Sequence, residues 1–345
     1  WLAAWAEGST LKLQHVDESG GAKGSSESRS LNEITSLTVT SNGNEYLVAV
    51  TLKATASESI VGYRYDGKLN RQGGKIGIDS NVTGALTGVG SATKGQTAWL
   101  TYSREKTGGG HIIKAAAVNL SNGNVSTSPF RISKSGQTLP KAGAPEIAIV
   151  GGTPTVVWWD KSGNKIRGAR LSGASAMNRF QISVGTTTAG FGEPVNLIAQ
   201  NGSAGVVFPD YTMSGNAALK YLSVGAGQTG SVMGAKALTG TSKVNRQPTA
   251  SAVDTDGDGT ADRLLVVWAQ GNTNDPAIMV GQTSLGSPSM VGGKTVKGSG
   301  NGATSPKVAT AGGKVGSVWQ VPLVGSSKDV KYAPLSIDGV GVCSP

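Results

Sequence analysis

Cysteine is almost missing from this chain: Cys343 stands alone, which excludes an intrachain disulfide and a thiolate metal cluster without arguing against export. Histidine is nearly as scarce. With only His15 and His111, neither a histidine dyad nor a His-rich zinc site is expected. Aromatic residues make up 5%, no segment sustains a helical period, and no apolar run approaches the length needed to cross a bilayer. Nucleophile elbows, phosphate-binding glycine loops and haem-attachment motifs are also lacking. No arginine-rich segment or interleaved aromatic and basic stripe is found, so nucleic acid is not an expected partner. The first residue is Trp1 rather than methionine, and a processed or trimmed product is expected.

What is abundant is glycine, 52 residues of 345, together with a formal charge of +10 spread over scattered Lys and Arg. The glycines suit many tight turns between small-residue strands. The charge favours acidic partners such as an anionic polysaccharide or a membrane surface, and the partner expected is a surface protein or an anionic polysaccharide.

A repeat organises the whole chain. Short apolar runs ending in a bulky residue recur roughly every 45 to 60 residues, the spacing of a propeller blade. They include Leu2 to Trp5, Leu47 to Val50, Trp99 to Tyr102, Val156 to Trp158, Val206 to Phe208, Leu265 to Trp268 and Gly316 to Trp319. Each is followed by a polar loop and a partner run, for example Ile60 to Tyr65 or Ile166 to Leu171. Most are preceded by a third segment often introduced by proline (Pro145, Pro194, Pro248, Pro306), and some are trailed by a fourth such as Phe130 to Ser133. These are inner strand A, then B, C and outer strand D. Four short antiparallel strands repeated seven times predict an all-β, seven-bladed β-propeller occupying 1–345 as one domain. The chain enters on a B strand, so one blade is expected to be incomplete. The short segment after Ile337 can supply the inner strand of blade 1 or the outer strand of blade 7. An unpaired blade edge is a ready place for self-assembly or strand exchange.

One turn has a sharp chemical pattern: Asp254, Asp256, Asp258 and Asp262 with Gly259 and Thr260 between them. Carboxylates at positions one, three, five and nine, with glycine at six, converge oxygens as hard Ca²⁺ prefers, and Thr260 at seven would add its backbone carbonyl. Leu265 at position twelve replaces the bidentate acid of a helix-flanked loop. This blade resembles the FG-GAP repeat of integrin alpha propellers, where such a loop is an A-to-B hairpin; the resemblance implies a structural calcium. More widely, Pro-x-x-Ala followed by Leu-Val-Val-Trp and Ile-x-Gly-x-x-Leu resembles degenerate repeats of exported bacterial surface proteins. It implies an extracellular, cell-surface or periplasmic location.

In propellers the B-to-C and D-to-A loops share one rim. Residues just beyond each bulky B-strand end include Arg104, Asp160 and Asp210, with Trp159 and Tyr211 beside them. These five are the candidate ligand-binding set, and Trp159 and Tyr211 are expected to be the exposed aromatics on which a sugar stacks. The function expected from this pattern is a non-catalytic exported binding or assembly module. The alternative is a carbohydrate-active enzyme, glycosidase or polysaccharide lyase, working at that rim, with Asp160 and Asp210 as the nominated carboxylate pair.

Overall fold

The computed structural model describes the chain except residues 18, 135–138, 140–143, 161–164, 185–194, 272–275, 290–291, 297–298, 300–301, 312–313, 323–327, 337–340 and 343–345, so Cys343 lies outside the described residues. No described residue is helical. Blade 1 holds β1 (Leu2–Glu7), β2 (Thr10–Val16) and β3 (Ala22–Ser30); blade 2 holds β4 (Glu33–Ser41), β5 (Glu45–Lys53), β6 (Glu58–Asp66) and β7 (Ile76–Val82). Blade 3 is β8 (Leu86–Lys94), β9 (Thr97–Glu105), β10 (His111–Asn119) and β11 (Val125–Arg131). Blade 4 has β12 (Glu146–Val150), β13 (Thr153–Asp160), β14 (Lys165–Ser172) and β15 (Ser175–Ser183), and blade 5 has β16 (Asn196–Gln200), β17 (Ser203–Tyr211) and β18 (Ala217–Val224). Two short strands follow, β19 (Gly230–Val232) and β20 (Lys236–Ala237). Blade 6 is β21 (Asn245–Val253), β22 (Arg263–Gln270), β23 (Ala277–Ser284) and β24 (Lys294–Thr295); blade 7 is β25 (Thr304–Ala311), β26 (Lys314–Pro322), β27 (Lys328–Ser336) and β28 (Gly341–Val342).

The seven sheets are the predicted seven-bladed β-propeller. Two details depart from a regular four-strand count. β20 is the outer strand of blade 5, while β19 leaves that blade and runs parallel to β15, giving blade 4 a fifth strand through Phe180 opposite Gly230. Blade 1 has three described strands, with β1 at its inner edge, and β28 pairs with β27 as the outer strand of blade 7.

Why these sequences pack as blades is visible in the B strands. In β17, Val206 lies in the apolar cluster shared with blade 4, whereas its neighbour Val207 lies in the one shared with blade 6. Successive side chains point to opposite faces, and both faces of each central sheet are covered, so the B strands read as continuous apolar runs. Six clusters fill the interfaces from blade 1 against 2 to blade 6 against 7. Trp158, Trp268 and Trp319 are at most 2% exposed within them, each contributing about 3 kcal/mol of burial.

The inner strands carry bulges at their D-to-A ends. Gly88, Gln247 and Ser305 take positive φ (59°, 50° and 54°) where the pairing of β8, β21 and β25 shifts register. Pro248 and Pro306 follow two of them, inside the strand rather than at its start; a bulge tolerates the missing N–H.

Candidate functional site

The B-to-C rim is built from a repeated device. The C-strand residue opposite the bulky B-strand end is basic in five blades: Lys12 faces Trp5, Lys114 faces Tyr102, Arg167 faces Trp158, Lys220 faces Phe208 and Lys331 faces Trp319. Two residues beyond the bulky end, an acid meets that cation: Glu7 with Lys12 at 2.6 Å, Asp160 with Arg167, and Asp210 with Lys220. In blade 3 the acid comes from the neighbouring blade. Asp79 of β7 accepts the Tyr102 hydroxyl at 2.6 Å and the Lys114 ammonium at 2.9 Å. Burial of Tyr102, then its bond to Asp79, pushes the phenol far above its ordinary value.

Arg104, Asp160 and Asp210 do occupy equivalent positions on successive blades, as the repeat predicts. Their surroundings differ from the expected open ring. Trp159 is 3% exposed and packs edge-on against Phe208, with ring centroids 6.5 Å apart. The pleat explains this: Trp158 faces blade 3 and Trp159 must face blade 5, so neither forms an exposed stacking platform. Asp160 is fully buried against Arg167. Its carboxylate pairs with the Arg167 guanidinium of the neighbouring strand. Asp210 is held within its own blade by Lys220, and Arg104 and Tyr211 are partly buried on β9 and β17.

A different acid stands in the channel. Glu146 of β12 pairs with Val157, and Lys307 of β25 pairs with Val318, equivalent places in blades 4 and 7. These blades are not neighbours in the ring, yet Lys307 Nζ reaches Glu146 Oε1 at 3.5 Å, spanning the central channel. Around them, inner-strand side chains accept the channel-side N–H of the next blade: Asn196 from Ala250 at 3.0 Å, Thr249 from Val308 at 3.4 Å and Gln247 from Ser305 at 2.8 Å. The Glu146 side chain keeps 22% of its surface exposed. Sequence reasoning missed this pair. Its signal was an acid and a base at the same repeat position in an otherwise uncharged inner-strand layer.

The outer half of blade 4 holds a cleft of about 240 Å³ lined by Arg167, Arg179, Lys134, Gln181 and Ser231. Its polar groups are mainly donors.

On the opposite rim, the turn between β21 and β22 brings Asp254, Asp256 and Asp258 together, with one oxygen from each within 4.8 Å of the others. Backbone N–H groups of Gly257 and Gly259 hold the Asp254 carboxylate at 2.7 and 2.8 Å and lower its pKa. Asp262 is outside this trio, turned toward the Thr255 hydroxyl and N–H, and these bonds lower its pKa. Thr260 donates its N–H to Asp258 at 2.6 Å.

No family model matches the chain, and no curated protein matches it. Among solved structures, it is similar to a mutant of Trypanosoma rangeli sialidase displaying trans-sialidase activity, with TM-score 0.56 and 9% identity over 92% of this chain and 56% of that one. Trypanosoma rangeli sialidase in complex with sialic acid gives TM-score 0.53 and 9% identity over the same shares. A thermostable family-43 glycoside hydrolase gives TM-score 0.46 and 12% identity over 90% and 93%. The chain thus spans little more than half the length of the sialidases. At this identity the likeness establishes the propeller fold. It also corrects the expectation of a non-catalytic binding or assembly module: the two propellers it resembles here at TM-score above 0.5 are a sialidase and its mutant with trans-sialidase activity, so the architecture gives no ground for preferring a non-catalytic role.

Proposed function

We propose that the protein is a carbohydrate-active enzyme whose reaction site is the channel mouth on the B-to-C rim. The observation that carries this reading is the Glu146–Lys307 pair, an acid and a cation brought from non-adjacent blades to one point inside the channel. Glu146 is the proton-transferring group. Lys307 positions its carboxyl and offers positive charge to an anionic group of the substrate. The strained bulges at Gln247 and Ser305 fix the backbone around that mouth, as expected where geometry is set for function. Similarity to sialidases supports a glycan substrate, and the +10 charge supports an acidic one.

Incubation with a panel of anionic polysaccharides and acidic aryl glycosides tests the reading. New reducing ends without ultraviolet absorbance indicate hydrolysis, and absorbing unsaturated ends indicate elimination. Glu146→Gln should lower turnover by about 10²- to 10⁴-fold, the usual contribution of a general acid or base. Undiminished turnover in that variant, or no cleavage of any member of the panel, overturns the proposal.

We also propose that Asp254, Asp256 and Asp258 hold Ca²⁺ as a structural ion in the manner of the FG-GAP loop. Three carboxylates this close, two of them exposed, repel one another without a cation, and all-oxygen donors suit calcium.

A further inference from the structure

We propose that the outer half of blade 4 is an anion-binding site built for a tetrahedral oxyanion: a sulfate or phosphate group, carried on a glycan or free in solution. This inference is independent of the catalytic reading.

Strand register assembles the site. Trp158 of β13 pairs with Arg167 of β14, Arg167 pairs with Gln181 of β15, and Gln181 pairs with Ser231 of β19. Residues opposite one another in a sheet share a face, so these four side chains form one row across the outer half of the blade. Arg179, two residues before Gln181 on β15, stands on the same face. That face looks toward blade 3: Trp158 belongs to the apolar cluster shared with blade 3, and Arg179 Nη2 donates to the Ile132 carbonyl at 2.9 Å. Lys134, just past the outer strand of blade 3, supplies the facing wall of the resulting cleft of about 240 Å³.

The strand that completes the row is one the propeller itself does not need. Blade 5 already has its outer strand in β20, yet the chain ahead of it leaves that blade and adds β19 to blade 4. Without β19 the row would end at Gln181. With it, the Ser231 hydroxyl accepts the Gln181 amide at 2.9 Å and keeps its own O–H to donate.

Donors outnumber acceptors throughout the cleft. Arg167 uses Nε on the buried Asp160 carboxylate and Nη1 on the Gln181 side-chain oxygen at 3.3 Å, and its Nη2 has no partner among the described residues. Arg179 Nε and Trp158 Nε1 are buried and likewise unpartnered among them. Buried donors without acceptors are costly, so the cleft favours negative charge. Three cations, Lys134, Arg167 and Arg179, line it and no described carboxylate does; Asp160, behind Arg167, offsets one of them.

The arrangement selects shape as well as sign. Donors come from β14, from β19 and from blade 3, and so approach an occupant from several directions. A carboxylate presents two oxygens in one plane, whereas a sulfate or phosphate group presents three or four directed apart. Guanidinium forks grip such groups through paired hydrogen bonds.

The test uses the 345-residue protein at fixed ionic strength, titrated calorimetrically with sodium sulfate, sodium phosphate, a sulfated oligosaccharide and an oligogalacturonate, with sodium chloride as reference. Sulfate or phosphate should bind saturably where chloride does not. Ser231→Asp sets a carboxylate in the row and Lys134→Gln removes a cation from the facing wall; each should weaken binding at least about tenfold. Both positions are exposed, and melting curves without anion check the fold; if one variant fails to fold, the other decides. A sulfated oligosaccharide that displaces sulfate assigns the group to a glycan, and one that does not displace it assigns the site to the free ion; either result upholds the site. Absence of saturable binding by sulfate, phosphate and the sulfated oligosaccharide overturns the proposal. So does binding undiminished in the folded variants, or an oligogalacturonate that binds as tightly as the sulfated oligosaccharide.

Discussion

Lys307 and Glu146 sit at the same position of the repeat in blades 7 and 4, and their side chains meet at 3.5 Å across the central channel. Equivalent residues in a closed ring project toward one axis, so two isolated charges a long way apart in sequence become a local pair.

Lys307→Met should leave the fold intact, because an ion pair with a largely exposed lysine contributes at most about 1 kcal/mol. Turnover on an acidic glycan should fall, with Lys307→Arg restoring part of it. Melting curves and steady-state kinetics on both variants check the separation of stability from activity.

Calcium should raise the melting temperature, and chelator should reverse the rise. In Asp256→Ala/Asp258→Ala the increment should vanish. Asp262→Ala should keep most of it, since Asp262 is bonded to Thr255 outside the trio.

Gly168 is positioned under the Phe180 ring so closely that a Cβ would lie 2.1 Å from it. Gly168→Ala should cost about 1–3 kcal/mol through overpacking, measured by denaturant unfolding. A smaller loss of about 1 kcal/mol is expected for Gly173→Ala, where φ is +53° and the space is open.

Alkaline stability should depend on Tyr102. Its pKa is raised in the folded state by burial and by the bond to Asp79, so the folded protein retains a proton that the unfolded chain releases near pH 10, about the ordinary tyrosine value. Its contribution is complete below that pH and is lost as pH rises beyond it. Unfolding free energy in Tyr102→Phe should show a shallower alkaline decline, and ultraviolet titration should show one late-titrating tyrosine fewer in that variant than in the wild type.

Much of the candidate site could not be read along the chain. Arg104, Asp160 and Asp210 were placed correctly on successive blades because position within the repeat is a matter of spacing. Trp159 is not the exposed aromatic expected, because a B strand is covered on both faces, which sends it into the core beside Phe208. The basic residues opposite Trp5, Tyr102, Trp158, Phe208 and Trp319 were present in the sequence as a pattern in the C strands. Their role emerged only when strand register paired them with the acids.

By itself the sequence determined the repeat, the strand classes and the number of blades, since these follow from local alternation of apolar and polar residues and from turn spacing. Tertiary structure alone decided that β28 joins blade 7, because several segments have the hydrogen-bonding capacity to fill that place. It also decided that Glu146 meets Lys307. Ring closure sets that contact, and no local periodicity encodes which blades face each other across the axis.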